Sequence, residues 1–275
     1  MSDKVTLFFE AWELFREPTL AGACAGATLG LVGVWIVLRG MVFLSATLSQ
    51  VAGLGVAAAL VAAPALGFSA PGLGAVVFTL LAALSLSLSA RSGKASADAT
   101  LGVLFLAASS GTLLLASRTG TELSDIDSLL FGSAVAVMPA QFRWLVAVCL
   151  GVLVLHLWWW RGFAAVTADA DEARVRGLPT RSLELALVAS AALAVGVATW
   201  VLGALPTFAF SVLPALAALA LAPNLPVALA LGGVFGLVAG GGGYFAAFLA
   251  DAPVGPAQTA LAVAFTVVAA LARRR

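Results

Sequence analysis

Polar side chains are rare inside the long apolar runs of this chain. The densest polar set stands at the start of the second run and comprises Ser45, Thr47, Ser49 and Gln50. An unsatisfied polar group is costly in hydrocarbon, so it tends to face a partner or an aqueous path. Ser49 and Gln50 are well placed to line such a path, and Gln50 is the only strongly polar member. The pattern therefore predicts either a translocation path built on these four residues or hydrogen bonds between neighbouring helices.

Motifs for catalysis or cofactor binding are missing from the sequence. No GxxxxGK[ST] loop occurs, so we do not expect the chain to hydrolyse ATP by itself. The single histidine, His156, has no second ligand at metal-site spacing and is interpreted as a packed or interfacial side chain. Cys24 and Cys149 stand in separate apolar runs and are interpreted as small packing residues. We predict no catalytic residue, no metal-ligating set and no cofactor.

The elements that position the polar residues must lie in a membrane. The chain has 275 residues, of which 62% are hydrophobic and 10% charged, and its mean hydropathy is +1.10. A soluble domain carries about 25% charged residues. The apolar runs are continuous, whereas a membrane β-barrel would show short alternating segments. We therefore predict an all-α, polytopic transmembrane helical bundle. A net charge of +1 gives no case for a nucleic-acid partner.

Nine apolar runs are long enough to cross a bilayer, and eight to ten crossings would fit the chain. They fall at 19–38, 48–68, 71–90, 99–117, 143–160, 183–203, 207–223, 225–249 and 255–272. Near Pro64, Pro214 and the glycine run 240–243, a broken or re-entrant helix could replace a clean crossing.

Two domains are predicted along the chain. Residues 19–275 form the transmembrane domain, preceded by a segment at 1–18. That segment is either a short amphipathic helix lying on the membrane before Pro18 or a frayed tail.

Basic residues in the short loops orient the bundle. With nine spans and a cytoplasmic C-terminus, most of the 14 Lys and Arg residues fall on the inside. This predicts a multi-pass protein of the inner (plasma) membrane. The longest polar inside segment is 161–182, which is expected to contact a cytoplasmic partner.

Glycines recur at three- or four-residue spacing in two of the predicted spans. They are Gly22, Gly26, Gly30 and Gly33, and later Gly232, Gly236 and Gly240. Such stripes allow two helix backbones to approach closely, so we predict a tight, dimeric bundle.

Five blocks, in order along residues 20–275, resemble the membrane permease subunits of zinc and manganese ABC importers. The first is the stretch 30–60, a glycine-rich span followed by a basic residue, a methionine and a polar span. The others are Asp98 with Gly102 and Gly111, the sequence DSLLFG at 127–132, Asp169 with Ala173 and Gly177, and Asp251 with Pro253 and Gly255. In the fourth block the family has Asp-Pro-x-x-Ala-x-x-x-Gly, and Ala170 replaces the proline.

The resemblance implies how such a subunit would work. It implies a homodimer of the permease, a separate ATP-binding subunit on the cytoplasmic side and a solute-binding protein that docks outside. Asp169, Ala173 and Gly177 would belong to the coupling segment that seats in the ATPase. Asp251, Pro253 and Gly255 would form a structural turn.

One departure from the family concerns the path itself. The family carries an Asp in the second span and a His four residues later, one helical turn apart. Here those positions hold Ala46 and Gln50, and neither offers the carboxylate or imidazole that a divalent metal prefers. Three functions therefore stay open: import of zinc or manganese, transport of another small solute or metal complex, and a non-transporting role in the membrane.

Overall fold

The computed structural model describes residues 2–92, 97–117 and 137–273, and those residues form helices without strands. The helices are α1 (Ser2–Glu10), α2 (Trp12–Leu38), α3 (Val42–Leu66), α4 (Pro71–Ser92), α5 (Ala97–Ala116), α6 (Pro139–Ala168), α7 (Ala170–Val175), α8 (Thr180–Leu202), α9 (Ala204–Leu221), α10 (Leu225–Leu237), α11 (Gly243–Ala250) and α12 (Val254–Arg273). A π turn at Val238–Gly242 joins α10 to α11.

Within the described ranges, eight helical segments are long and apolar enough to cross a membrane. They are α2, α3, α5, α6, α8, α9, the joined α10–α11 and α12. The remaining predicted span coincides with α4, a further apolar helix. The predicted all-α, polytopic membrane bundle is therefore confirmed.

The three irregular places behave differently from one another. Pro64 and Pro214 lie inside α3 and α9, and both helices continue through them. A transmembrane helix tolerates proline because neighbouring groups can satisfy the freed carbonyl. The glycine run forms the π turn, so the span 225–250 is bulged rather than broken. Gln258 of α12 donates through Nε2 to the Gly240 carbonyl at 2.8 Å and thereby satisfies an oxygen in that turn.

The N-terminal helix ends earlier than the sequence suggests. The boundary falls at Ala11, and Pro18 lies inside α2 instead of ending the preceding helix. The proline removes the helical N–H donor for the Leu14 carbonyl, and at the next position the Thr19 hydroxyl donates to the Phe15 carbonyl at 2.7 Å. Residues 12–18 are therefore continuous with the helix of the first predicted span.

Helix α1 packs against α11 through aromatic side chains. Phe8 is 2% exposed and contacts the rings of Phe15, Phe245 and Phe248. Lys4 forms an ion pair with Asp251 and also donates to the Leu249 carbonyl at 3.3 Å. These contacts hold α1 at the end of α11.

The glycine stripes bring α2 and α10 into backbone contact. Gly26 faces Gly236, Gly30 faces Gly232, and Gly22 faces Gly240. A Cβ atom at any of these positions would lie under 3.0 Å from the opposite carbonyl oxygen. The glycine stripes, from which a tight, dimeric bundle was predicted, are thus occupied by contacts within one chain.

Helix α3, which carries the polar set, is fixed on two sides. Gly55 meets the backbone of Gly74 on α4. On the other side, the Thr47 hydroxyl donates to the Leu101 carbonyl of α5 at 3.3 Å. A backbone contact and a buried hydrogen bond therefore set the rotation of α3 about its axis.

Replacing Gly26 by alanine should destabilise the bundle because the new methyl group would overlap the Gly236 carbonyl. Overpacking of this kind costs about 1–3 kcal/mol. The matched control is Gly151→Ala in α6, where a Cβ would meet nothing within 4 Å. That control should be neutral or stabilising by up to about 1 kcal/mol, from helix propensity. Thermal unfolding in detergent measures both, and equal midpoints would contradict the packing argument.

Candidate functional site

A cavity of about 510 Å³ lies between α3, α5 and α9. Its lining residues are Phe43, Ala46, Ser49, Gln50, Phe105, Ala204, Leu205 and Phe208. Ala46 and Gln50 stand one helical turn apart on the same wall, as their spacing requires. The two positions at which the sequence departs from the resembled family therefore face one half-open cavity.

Gln50 is the principal polar group of this cavity. Its Oε1 accepts a hydrogen bond from the Ser109 hydroxyl of α5 at 3.2 Å. Ser49 also lines the cavity, but it is only 1% exposed and its hydroxyl donates to the Ser45 carbonyl at 3.0 Å. The amide of Gln50 is thus the larger polar surface that a solute in the cavity could meet.

The other two members of the polar set do not line the cavity. Thr47 is buried against α5 through its bond to the Leu101 carbonyl. Ser45 is fully buried, and its hydroxyl has no hydrogen-bond partner among the described residues. Ser49 and Gln50 face the cavity, as the prediction of a translocation path requires. Thr47 instead joins two helices, as the prediction of interhelical hydrogen bonds requires.

Sequence reasoning missed the residues of other helices around Gln50. Ser109 is one of two adjacent serines in α5, and the spacing of the chain gives no sign of which serine faces α3. Phe43 and Phe105 lie with ring centroids 5.4 Å apart and form an aromatic wall. Phe208 of α9 completes that wall.

The remaining candidate ligands are packed elsewhere. His156 is 1% exposed, its Nε2 lies 2.9 Å from the Ser190 hydroxyl, and its ring lies 4.9 Å from that of Phe163. Both cysteines are free thiols. Among the residues that the structure describes, no group of three or more His, Cys, Asp or Glu side chains could hold a metal ion.

The second candidate element is the short helix α7 outside the long spans. Asp169 precedes it, and its Oδ1 accepts from the amides of Asp171 at 2.8 Å and Glu172 at 3.0 Å. This is an N-cap, which satisfies amides that have no partner inside a helix. The DADEARVR run of the sequence thus folds as a capped helix, while residues 161–168 belong to α6.

Gly177 ends α7 with a left-handed turn, φ +81°. The Leu178 amide donates to the Ala173 carbonyl at 3.1 Å, and the Gly177 amide donates to the Arg174 carbonyl at 3.0 Å. This pair of bonds is a Schellman motif, whose left-handed position favours glycine because it has no Cβ. Ala173 is 2% exposed and faces the bundle. Helix α7 therefore begins after Asp169, packs on the bundle through Ala173 and ends at Gly177.

The outer surface of α7 is mixed in polarity. Val175 is 89% exposed. Arg174 pairs with Asp171 at 3.0 Å, and Arg176 pairs with Glu172. Helix α7 therefore presents one exposed apolar side chain between charges that pair with each other.

The closing turn is built around Asp251. This residue adopts a left-handed conformation, φ +52°, at the end of α11, and the Ala252 amide returns to the Ala247 carbonyl at 3.0 Å. Pro253 accepts from the Ala257 amide as α12 begins, and Gly255 is buried in its first turn.

Two further blocks of the resemblance lie elsewhere. Asp98, Gly102 and Gly111 lie on α5, and the block 127–132 lies outside the described residues.

The chain is thus a polytopic helical bundle with a half-open cavity and a short capped helix beside its spans. Residues 11–273 match the ABC 3 transport family. The chain belongs to that family, and it is a multi-pass membrane protein.

Named relatives cover almost all of the chain. The manganese transport system membrane protein MntC of Halalkalibacterium halodurans is 27% identical over 95% of this chain and 90% of its own length. An uncharacterised membrane protein of Synechocystis is 30% identical over 82% of this chain and 79% of its own. The solved structure of PsaBC from Streptococcus pneumoniae, in complex with a Fab, has a TM-score of 0.85 at 22% identity and covers 98% of this chain and 95% of the matched chain.

Restoring the family's pair, with Ala46→Asp and Gln50→His, should create zinc or manganese binding in the solubilised protein. The wild-type cavity wall offers a neutral amide and a hydroxyl, whereas a zinc site wants about four N, S or O donors. Isothermal titration should show no tight zinc binding to the wild type and measurable binding to the double variant. Ala46→Asp with Gln50→Leu, which lacks the imidazole, serves as the control. Tight wild-type binding that Gln50→Ala removes would contradict this interpretation of the cavity.

Proposed function

We propose that this chain is the membrane permease subunit of an ABC importer of divalent metal, with manganese as its cargo, and that a separate subunit hydrolyses ATP. The observation that carries the proposal is the capped helix α7, presented beside the spans of a chain that belongs to an ABC transport family. Manganese is supported by the name of the Halalkalibacterium relative, which is similar over 95% of this chain.

The proposed assembly contains two copies of this chain, an ATP-binding subunit on the cytoplasmic side and a solute-binding protein outside. The protein lies in the inner membrane with its C-terminus in the cytoplasm. In this frame α7 is cytoplasmic, as is the ion pair between Arg39 and Glu184 at 3.1 Å, which ties the end of α2 to the start of α8. The Asp251 turn and α1 then face outward.

Helix α7 would seat in the ATP-binding subunit. Its charged side chains pair along its own surface, so they hold its shape without a partner. Val175, 89% exposed, is the apolar group that a groove in the ATPase would cover. The Schellman turn then fixes the direction in which the chain returns to α8.

A second candidate function is favoured by the cavity itself. Ala46 and Gln50 stand where the resembled family has carboxylate and imidazole, which suits a cargo that does not bind the wall as a bare ion. Such a cargo would be a metal complex or another small polar solute.

The deciding experiment reconstitutes the permease with its ATPase and binding protein in proteoliposomes. Uptake of manganese should require ATP on the side of the membrane that carries the ATPase subunit. It should stop when that subunit is omitted. Stimulation of ATP hydrolysis by a different solute, without manganese uptake, would favour the second candidate. Manganese uptake that does not depend on ATP would reject the proposed importer.

Replacing Gly177 with valine should lower coupled transport severalfold while leaving membrane insertion intact. No atom lies within 4 Å of the added Cβ, so the harm would come from the left-handed backbone, which costs a residue other than glycine about 1–2 kcal/mol. The matched control is Gly177→Asn, because asparagine tolerates that conformation. Manganese uptake and ATPase activity are measured on equal amounts of inserted protein. Full activity of the valine variant would contradict the role given to this turn.

A further inference from the structure

We propose that a second cavity, at the ends of α2 and α6 and here named the end cavity, binds the phosphodiester group of a membrane phospholipid. It is half-open and has a volume of about 310 Å³. The last turns of α2 and α6 line it, together with the connection from α9 to α10. This site lies apart from the cavity of Gln50, and it does not depend on the cargo or on which end of the bundle is cytoplasmic.

The end cavity lies where several spans leave the hydrocarbon. Trp35 and Leu38 stand in the last turn of α2, and residues 222–224 connect the spans α9 and α10. On α6, three adjacent tryptophans at 158–160 precede the lining residues 164–168 by one to two turns. Tryptophan is enriched at the interface between membrane and water. The end cavity is therefore at the depth of the phospholipid headgroups.

Two donors that border the end cavity have no partner. Trp35 is fully buried, and its indole N–H makes no hydrogen bond to any described residue. The Thr167 hydroxyl is likewise buried and unpartnered. Other threonines of the spans return their proton to a carbonyl one turn back, as Thr28 does. A buried donor without an acceptor is costly, so these two groups favour a ligand that accepts hydrogen bonds.

The N-terminus of α10 adds further donors. Asn224 caps this helix: its Oδ1 accepts from the Val227 amide at 3.1 Å, which leaves the side-chain nitrogen as the donor that a ligand can meet. Leu225, the first residue of α10, also lines the end cavity. The first amides of a helix lack partners within it, and the aligned peptide dipoles place partial positive charge there. Helix terminus and side chains together therefore form a site for an anion.

The lining favours a lipid over free phosphate. The lining residues that the structure describes carry no charge, and most of them are alanine, leucine or proline. Removing a phosphate dianion from water without a countercharge is costly. A phosphodiester carries a single negative charge and brings apolar chains with it. Leu38 and Leu221 are 45% and 43% exposed, so apolar surface for those chains continues beside the cavity.

Charged residues flank the end cavity in sequence. Arg39 follows Leu38; its Nη2 pairs with Glu184 at 3.1 Å, and its Nη1 is buried without a partner among the described residues. Asp169 follows Ala168, but its Oδ1 already accepts from two amides of α7. The unused N–H group is thus cationic, whereas the carboxylate is already hydrogen-bonded. This balance also favours an anion.

The experiment measures lipid binding to the full chain, purified in detergent, by native mass spectrometry. The probe is phosphatidylglycerol, and the readout is the dissociation constant of the most tightly bound copy. Diacylglycerol with the same chains lacks the phosphate and should bind at least about tenfold more weakly, because hydrogen bonds to a charged group are strong. Inorganic phosphate at millimolar concentration should not displace the lipid.

Three variants locate the site. Asn224→Asp keeps the helix cap, since aspartate caps as well as asparagine, but it adds a negative charge to the lining and should weaken binding by about tenfold or more. Thr167→Val and Trp35→Phe each remove one donor and should each weaken binding by about tenfold. The matched control is Thr199→Val: Thr199 is also buried with an unpartnered hydroxyl, but it does not line the end cavity. That control should bind as the wild type does.

The outcomes are distinct from those of the transport assay. Wild-type affinity in both Asn224→Asp and Thr167→Val would overturn the phosphodiester site, and these two conservative changes decide the matter even if Trp35→Phe fails to fold. Equal binding of diacylglycerol would show that the acyl chains alone are recognised and would also overturn it. Displacement by inorganic phosphate would reject the lipid as the source of the phosphate. None of these results bears on manganese uptake, so the proposed function stands or fails separately.

Discussion

The close contact between the backbones of α2 and α10 is the constraint on which the bundle depends. Lipid tails are as apolar as the side chains of a span, so burial of apolar surface does not by itself drive helices together in a membrane. Shape must do so. The pairs Gly26–Gly236 and Gly30–Gly232 let two backbones meet where any side chain would separate them. The same contact continues into the π turn at Gly240, whose carbonyl Gln258 then satisfies.

A second rule follows from the absence of water in hydrocarbon. Hydroxyl groups in the spans mostly return their protons to a carbonyl one turn back, as in Thr28 to Cys24 at 2.9 Å and Thr112 to Ala108 at 2.8 Å. Such groups are satisfied locally and are of little use to a solute. Gln50 differs because its amide is too long and too polar for that solution. It bonds sideways to α5, and it keeps unused hydrogen-bonding capacity at the cavity.

Apolar run length was enough to predict the spans, because about 20 residues must cross the bilayer wherever they pack. The family-like positions Asp169 and Gly177 were also visible, since an N-cap and a left-handed turn each demand a residue type. Other features depended on partners distant in sequence. The glycine stripes could be seen in the sequence, but it did not show that they contact each other within one chain. Pro18 looked like a helix boundary, although α2 continues through it. Ser109 could not be told from Ser110, because only the rotation of α5 separates them.

Helix α8 lies between α7 and the helices around the cavity. At one end α8 begins directly after the turn that closes α7, and Leu183 packs on Gly162 of α6. Farther along, Gly196 packs closely against Thr79 of α4, which in turn meets α3 through Gly74. Helix α8 therefore packs, through α4, beside the helix whose wall carries Gln50. Because Gln50 bonds to a different helix, α5, relative movement of α3 and α5 would change the orientation of its amide. The one amide among the described lining residues is thus held between two helices, so a shift of either helix would reorient it without any change in charge.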